Sequence, residues 1–242
     1  MPQILVDTLF VILVGIGRIL ILKTVSVAWH GETSRGRAFT LAAGLIFGWL
    51  TLTSALAASG VLMPSPNHPP PNGAVLAVVL IGVCIAVFGS LGRRIAARVS
   101  PPALIAYQVF RVGVELILWA LAINDVGPTL LTFEGRNFDI IVGLSAPLVA
   151  LLVWKRPNKA LIIGWNVAGM LILGSVLVHA VLASPGPFQK IFITPDSSIV
   201  ATWPYVWLPG LLVPLAMAGH LLSIRQALQK APEPEITAAL AS

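Results

Sequence analysis

Long apolar stretches alternate with short polar connections along the whole chain. Each stretch is about 20 residues long, the length that an α-helix needs to cross a hydrocarbon core of roughly 30 Å. The pattern predicts an all-α, polytopic integral membrane protein with seven transmembrane helices, forming one domain over residues 1–230 and followed by a disordered tail at 231–242. The predicted spans are Ile4–Trp29, Ala38–Met63, Gly73–Arg93, Pro102–Asn124, Asn137–Trp154, Lys159–Ser184 and Trp203–Ile224.

Composition agrees with a membrane protein and excludes several other classes. Of the 242 residues, 57% are apolar and only 10% are charged, whereas a soluble domain carries about 25% charge. Mean hydropathy is +0.93, which excludes a soluble globular protein and a disordered one. A single cysteine excludes a disulfide scaffold, and the sparse charge argues against a nucleic-acid partner. The lipid bilayer is the expected partner.

The distribution of lysine and arginine predicts the orientation. Cations cluster in alternate connections, and the opposite connections hold only Arg136 and Lys190. By the positive-inside rule, the N-terminus is expected to lie outside and the C-terminus inside. We expect the protein to be integral to the cell membrane, specifically a bacterial inner (plasma) membrane. The clustered cations are Arg35, Arg37, Arg93, Arg94, Arg98, Lys155, Arg156, Lys159, Arg225 and Lys230.

The fourth predicted span carries the strongest polar signal. Gln108, Arg111 and Glu115 are spaced three and four residues apart and therefore share one helical face, beside Tyr107. Arg111 lies roughly 14 Å along the helix from Pro102, near the middle of the bilayer. Ionisable groups cost roughly 2.5–3.5 kcal/mol each at that depth, so the face is expected to lie inside the bundle.

Two interpretations of this face remain open. It is either an internal Arg111–Glu115 salt bridge that fixes helix packing or a site for a ligand, an ion or a proton. Arginine four residues before glutamate is the less favourable order for a pair within one helix. We therefore expect additional partners from other helices.

A second polar cluster, Thr132–Asp139, precedes the fifth predicted span on the outer side. Gly135 permits a tight turn, Asn137 is suited to cap the helix, and Asp139 in the first turn complements the helix dipole. We therefore interpret the segment as an outer cap of the bundle.

Capping leaves two residues of this segment, Glu134 and Arg136, without an assigned role. Arg136 is one of only two cations in the outer connections. We expect it to pair with Asp7 or Asp125, or to receive an anionic group.

Enzymatic chemistry has little support in the sequence. Gly143-Leu-Ser145-Ala and Ala218-Gly-His220-Leu faintly resemble the serine and histidine motifs of rhomboid-type intramembrane proteases, but the glycines that should follow are missing. The predicted spans also place Ser145 near a depth of about 12 Å and His220 near about 25 Å, too far apart for a nucleophile and its base. His179 matches the depth of Ser145 but has no third group. No metal site and no cofactor are expected.

The sequence therefore favours a non-enzymatic membrane protein with a buried polar site on the fourth span. We expect small-solute or proton-coupled transport, because a charged face near mid-depth lies among helices that proline should kink. The alternative is a membrane sensor or accessory subunit in which the Arg/Glu pair is purely structural, and an intramembrane hydrolase is third. The kinking prolines are Pro147, Pro204, Pro209 and Pro214.

Overall fold

The computed structural model describes residues 1–229, and these residues form nine α-helices without a β-strand in that range. The predicted all-α class is confirmed, whereas the predicted tail at 231–242 lies outside the described residues. A 3₁₀ turn, Tyr107–Val109, joins α5 to α6, and a π-helical turn, Leu208–Leu212, leads into α9. The helices are α1 Gln3–Ala28, α2 Arg35–Ala58, α3 Pro71–Phe88, α4 Ser90–Arg98, α5 Pro101–Ala106, α6 Phe110–Ile123, α7 Asp139–Lys155, α8 Lys159–Leu182 and α9 Val213–Leu228.

Six helical segments within residues 1–229 are long and apolar enough to cross a membrane. They are α1, α2, α3, the combined segment Pro101–Ile123, α8, and the combined segment Leu208–Leu228. The fifth predicted span corresponds to α7, which has 17 residues and is not one of the six. The third predicted span is shorter than expected, because the chain breaks at Gly89 and Arg93 belongs to α4.

α7 is short because it begins inside the bundle. Gly143, one turn into α7, lies beside the middle of the Pro101–Ile123 segment: a Cβ atom on Gly143 would be 2.8 Å from the backbone nitrogen of Val112. The N-terminus of α7 is therefore only about 6 Å, or four residues, beyond that level. The preceding chain fills the space, with Thr132 and Asn137 fully buried. Non-helical backbone is tolerated at membrane depth when protein covers it.

The segments Pro101–Ile123 and Leu208–Leu228 form the centre of the bundle. In each central segment, 56% of the most apolar 18-residue window is buried, compared with 11% of the corresponding window in α2 and in α3. Phe10 and Val14 of α1 pack into the same core as Leu121 and Leu212. The polar residues of the central segments are consequently enclosed by other helices.

Two tryptophan side chains form hydrogen bonds between α2 and the π-helical turn before α9. Pro214 has no N–H group, so the carbonyl of Gly210, four residues earlier, lacks its helical donor. The indole Nε1 of Trp49 on α2 donates to that carbonyl at 2.9 Å. In return, Trp207 donates to the carbonyl of Leu50 at 3.2 Å. These bonds attach α2 to the central segment.

We call the end of the bundle that carries α4 the α4 end. Side chains near the C-terminus of α9 stabilise this end by hydrogen bonds. Arg225 donates to the carbonyls of Val87 and Gly89 at the end of α3. Gln226 donates to the carbonyls of Ala96 and Val99, at 2.8 and 2.7 Å. Both side chains satisfy carbonyls that a helix C-terminus leaves without a partner.

Glu32, between α1 and α2, binds the same end through two arginines. It accepts hydrogen bonds from Arg94 and, at 3.1 Å, from Arg98, and the guanidinium of Arg94 lies 4.6 Å from the ring centre of Trp29. Partial desolvation acts to raise the pKa of the Glu32 carboxyl. The hydrogen bond and charge of Arg94 outweigh it, so the pKa is lowered from its usual value of 4.5.

Glu32→Gln should reduce stability in a pH-dependent way. A carboxyl with a lowered pKa stabilises the folded state above its usual pKa, and this contribution disappears as the pH falls through the lowered value. The thermal midpoints of the wild type and the variant in detergent should therefore differ at pH 7, and the difference should shrink as the pH falls below 4.5. A difference that does not shrink on acidification would show that the ion pairs are not its cause.

Gly92→Ala should destabilise the corner between α3 and α4. A Cβ atom at Gly92 would lie 1.8 Å from the carbonyl oxygen of Val87, which is backbone and cannot move aside. We expect a loss of about 3 kcal/mol in equilibrium unfolding in mixed micelles. Gly82→Ala is the matched control, because no atom lies within 4 Å of a Cβ there. Equal stability of the two variants would contradict the described corner.

Candidate functional site

Arg111 of α6 lies at the centre of a buried polar cluster and is only 1% exposed. Its Nε and Nη2 atoms donate to the two carboxylate oxygens of Asp139, with Nε at 3.1 Å from Oδ2. Its Nη1 lies 2.7 Å from Nε2 of His220 on α9. The guanidinium is therefore bound on three of its atoms, and its charge is balanced by one aspartate.

His220 continues the cluster toward α8. Because arginine has only donors, Nε2 of His220 must accept, and the ring hydrogen is assigned to Nδ1. Nδ1 lies 2.8 Å from Oδ1 of Asn166, whose Nδ2 in turn donates to the carbonyl of Ile162 at 2.8 Å. The tautomer is that of a neutral imidazole. One chain of hydrogen bonds thus connects α8, α9, α6 and α7.

Asp139 is the first residue of α7, so its carboxylate lies at the positive end of the helix dipole. Its backbone N–H donates to Oδ1 of Asn137 at 3.0 Å. The residue at the N-cap position is Phe138, which makes no side-chain cap bond. The predicted cap position, Asn137, was therefore one residue too early, although its side chain does bind the first turn.

Glu115 does not form the ion pair with Arg111 that was one of the two interpretations of this face. It is completely buried, and its Oε1 accepts from Nδ2 of Asn137, which also donates to the carbonyl of Leu131 at 3.1 Å. The pair does not form because the guanidinium of Arg111 is already bound by Asp139 and His220. The expectation of partners from other helices is thus met for Arg111.

The second oxygen of the Glu115 carboxyl is unusual. Oε2 is buried and has no hydrogen-bond partner among residues 1–229. The backbone amide of Phe133 also lies near the carboxyl. One turn further along α6, Nε1 of Trp119 is also buried without a partner in the described chain. The indole ring of Trp119 lies 5.9 Å from the ring of Phe133, centre to centre.

The charges of the cluster do not balance if both acids are ionised. Arg111 supplies one positive charge, His220 is neutral in its tautomer, and Asp139 and Glu115 supply two carboxyls. In the bidentate pair, the positive charge of Arg111 is balanced by the carboxylate of Asp139. An ionised Glu115 would then be a buried charge without a counter-charge, which is strongly unfavourable. Glu115 is the surplus acid of the site.

Tyr107 and Gln108 attach the cluster to α9. The Tyr107 hydroxyl donates to the carbonyl of Leu215, and Nε2 of Gln108 donates to the carbonyl of Ala216, both at 2.9 Å. A Cβ atom on Gly219 would lie 1.8 Å from the Tyr107 oxygen. Only glycine allows α9 to approach this closely.

A second glycine makes room for the histidine. A Cβ atom on Gly169 of α8 would lie 2.4 Å from Cε1 of His220. Because Gly169 has no side chain, the imidazole of His220 can reach both Asn166 and Arg111.

The outer cap residues divide into two groups. Asn137 and Asp139 belong to the buried cluster, whereas Glu134 and Arg136 are exposed. Arg136 forms no ion pair within the described chain. The pairing expected with Asp7 or Asp125 is thus not formed.

Asp7 binds neighbours other than Arg136. It accepts from Nε2 of Gln3 at 2.8 Å and from the Tyr205 hydroxyl. Asp125 is exposed, in a left-handed turn with a φ of 56°. The outer cap is therefore not a single electrostatic unit.

Ser145 lies deeper than the sequence suggested. Its hydroxyl accepts from Nε1 of Trp165 at 3.0 Å, and the Trp165 ring centre is 5.5 Å from that of His220. The depth estimate was wrong because α7 begins inside the bundle. Ser145 donates to the carbonyl of Val142, not to a histidine, and His179 bonds to Ser175.

Two apolar cavities of the described chain do not reach the charged groups of the cluster, although Tyr107 lines one of them. A cavity of about 320 Å³ lies among α1, α3, α4, α5 and α9 at the α4 end. A second, of about 520 Å³, lies at the opposite end between α3 and α8. Neither is lined by Arg111, Glu115 or Asp139. Within residues 1–229 no group of three metal-ligating side chains comes together either.

Sequence reasoning did not single out Asn166, and it considered His220 as a candidate catalytic base. Both are polar side chains inside the predicted apolar spans. Such residues need a buried partner, so two of them on adjacent antiparallel helices are a usable signal for contact. Pairing Asn166 with His220 requires only that the predicted sixth and seventh spans be neighbours.

Comparison with known families gives one match. The family model described as "Domain of unknown function (DUF8737)" matches residues 69–228, about two thirds of the chain. The matched range contains the whole cluster, from Tyr107 to His220. No curated protein and no solved structure matches the chain.

Asp139→Asn should be among the most destabilising substitutions in the protein. It leaves the Arg111 charge buried without a counter-charge, which costs about 3–5 kcal/mol. Replacing Arg111 by methionine in the same molecule should recover part of that loss, because the uncompensated charge is then gone. Chemical unfolding in mixed micelles measures both effects.

Asp125→Asn is the control for this experiment. Asp125 is exposed, and asparagine tolerates its left-handed backbone. If Asp139→Asn were no more costly than Asp125→Asn, the ion pair would not be a principal support of the site.

Proposed function

The chain belongs to the DUF8737 family, a domain of unknown function, and we propose that it is a proton-coupled transport protein of the cell membrane whose exchangeable proton is bound at Glu115. The observation that carries the proposal is the buried Oε2 atom of Glu115, which lacks a hydrogen-bond partner among residues 1–229. A carboxyl in that position is stable when it holds a proton and costly when it does not.

The rest of the cluster is suited to lower that cost during exchange. Arg111 and Asp139 form a neutral pair near Glu115, held in place by His220 and Asn137. When Glu115 loses its proton, the hydrogen bond from Asn137 and the nearby Arg111 charge favour the carboxylate. In this proposal, the ion pair is permanent and Glu115 alone changes its charge.

Access to Glu115 requires movement, because the described state is closed. The nearest cover is the non-helical segment before α7, which contributes Asn137 and the ring of Phe133. This segment lacks the continuous backbone hydrogen bonds of a helix, so it moves at lower cost than its neighbours. Its displacement toward the end opposite α4 would connect Glu115 with that side.

The proposal includes a topology. With α7 as a seventh crossing, completed by the buried segment at 129–138, the N-terminus lies outside and α4 inside. The described cations support this orientation: Arg93, Arg94, Arg98 and Lys155 lie in α4 or at the end of α7 that meets α8, on the side predicted to face the cytosol. A bacterial inner (plasma) membrane remains our expectation for the location.

A purely structural role for the cluster is the second candidate. It is favoured by the complete pairing of Arg111, whose Nε, Nη1 and Nη2 atoms all have partners. In that case the protein would act through its surfaces, as a sensor or accessory subunit, and Glu115 would only support packing.

Glu115→Gln should remove proton-dependent charge movement. Proteoliposomes adsorbed to a solid-supported membrane are subjected to a rapid pH step, which reports proton binding without knowledge of any co-transported solute. The wild type should give a transient current that is at least about tenfold smaller in the variant. Glutamine keeps the acceptor for Asn137 and mimics the protonated acid, so the fold should be retained.

Glu134→Gln is the matched control, because Glu134 is an exposed carboxyl of the same segment. Its current should equal that of the wild type. A wild-type current no larger than that of empty liposomes, or an unchanged current in Glu115→Gln, would contradict the transport proposal. Loss of folded protein in Glu115→Gln would instead support the structural role.

A further inference from the structure

A large apolar cavity opens between α3 and α8 at the end of the bundle opposite α4. Its volume is about 520 Å³, within the range of roughly 300–1,000 Å³ that is usual for small-molecule sites. Both helices pack against α9, which forms its back wall. The residues that define its walls include Leu76 and Ala77 of α3, Leu177 and Ala180 of α8, Leu118 of α6 and Pro209 of the π-helical turn.

Two polar side chains line this cavity without a protein partner. Ser184 is 5% exposed and its hydroxyl has no hydrogen bond in the described chain. Asn72 is 9% exposed, and its amide forms no side-chain hydrogen bond within residues 1–229. Buried polar groups are nearly always satisfied in folded proteins. The unsatisfied hydroxyl of Ser184 in the wall of this cavity therefore indicates a ligand that carries a hydrogen-bonding atom.

The positions of Asn72 and Ser184 indicate how the ligand is oriented in the cavity. Asn72 is the second residue of α3, and Ser184 follows the last residue of α8 by two positions. Both lie where the helices meet their loops, whereas Leu118 and Val213 line the cavity further inside the bundle. The cavity is thus polar at its loop end and apolar along its length.

The lining also restricts the charge of the ligand. No aspartate, glutamate, lysine, arginine or histidine is among the residues that line this cavity in the described part of the chain. A phosphate or carboxylate head would find no counter-charge there. An uncharged head with an oxygen atom that both donates and accepts matches the hydroxyl of Ser184 and the amide of Asn72.

We propose that this cavity binds a long-chain lipid with an uncharged hydroxyl-bearing head, of the diacylglycerol or long-chain alcohol class. The head bonds to Asn72 and Ser184, and the hydrocarbon chain lies between α3 and α8. The site does not depend on proton transport at Glu115, so either proposal stands if the other fails.

The test is photolabelling of the purified full-length protein in phosphatidylcholine nanodiscs. The probe is a diacylglycerol with a photoreactive group in one acyl chain, and labelled peptides are mapped by mass spectrometry. Labels should concentrate on α3 and α8 at the cavity walls. Unlabelled diacylglycerol should compete with the probe, whereas phosphatidylglycerol with the same chains should not.

A cavity-filling variant and a matched control test the location. Ala77→Phe places a ring inside the cavity and should reduce labelling at least tenfold. Val78→Phe adds the same ring at the next position, which is 59% exposed and does not line the cavity. Labelling of this control should equal that of the wild type.

Alanine at the two polar positions tests the head group. Asn72→Ala and Ser184→Ala should each weaken binding of the probe roughly fivefold, the effect of one lost hydrogen bond. Without ligand, the thermal midpoint of Ser184→Ala should stay the same or rise, because an unsatisfied buried group is removed, and that of Asn72→Ala should not fall. A structural role for these residues would lower the midpoint instead.

Three results would overturn the proposal. They are labelling spread evenly over all lipid-facing helices, competition by phosphatidylglycerol as strong as that by diacylglycerol, and equal labelling of Ala77→Phe and Val78→Phe. The first would indicate ordinary boundary lipid, and the second a phospholipid that is held without recognition of its head group.

Discussion

The bidentate ion pair between Arg111 and Asp139 is the constraint on which the rest of the structure depends. A guanidinium buried to 99% requires a counter-charge within reach. That requirement places the first residue of α7 near the middle of the bundle, which shortens α7 to 17 residues and draws the preceding segment inward. His220 binds the remaining side of the arginine and is itself held by Asn166, and Gly169 and Gly219 allow the close approaches that this arrangement needs.

A second acid in the same cluster cannot use the same charge. Because Arg111 leans toward His220 and pairs with Asp139, Glu115 is left with Asn137 as its only side-chain hydrogen-bond partner among residues 1–229. The site therefore combines one permanent neutral pair with one acid whose charge is free to change. The apolar cavity between α3 and α8 is separate from this chemistry, since none of the charged residues of the cluster lines it.

The sequence was sufficient for the helical class, most helix positions and the burial of Gln108, Arg111 and Glu115, because apolar length and charge within an apolar span are local signals. The sequence did not predict how deep in the bundle the residues of α7 lie. Counting residues from the assumed outer end of α7 misplaced Asp139 and Ser145, since no sequence pattern shows that a helix begins inside a bundle. The partners of Arg111 depend on that depth and on which helices are neighbours, so Asp139 and His220 could not be assigned to it.

The protonation state of Glu115 in a lipid bilayer is the most direct test of this account. Infrared spectroscopy of the reconstituted protein near neutral pH distinguishes the carbonyl stretch of a protonated carboxyl from the bands of a carboxylate. We predict a protonated-carboxyl band in the wild type that disappears in Glu115→Gln and persists in Glu134→Gln. A wild-type spectrum without that band, or a band unaffected by Glu115→Gln, would contradict the claim that Glu115 is the surplus acid beside a neutral Arg111–Asp139 pair.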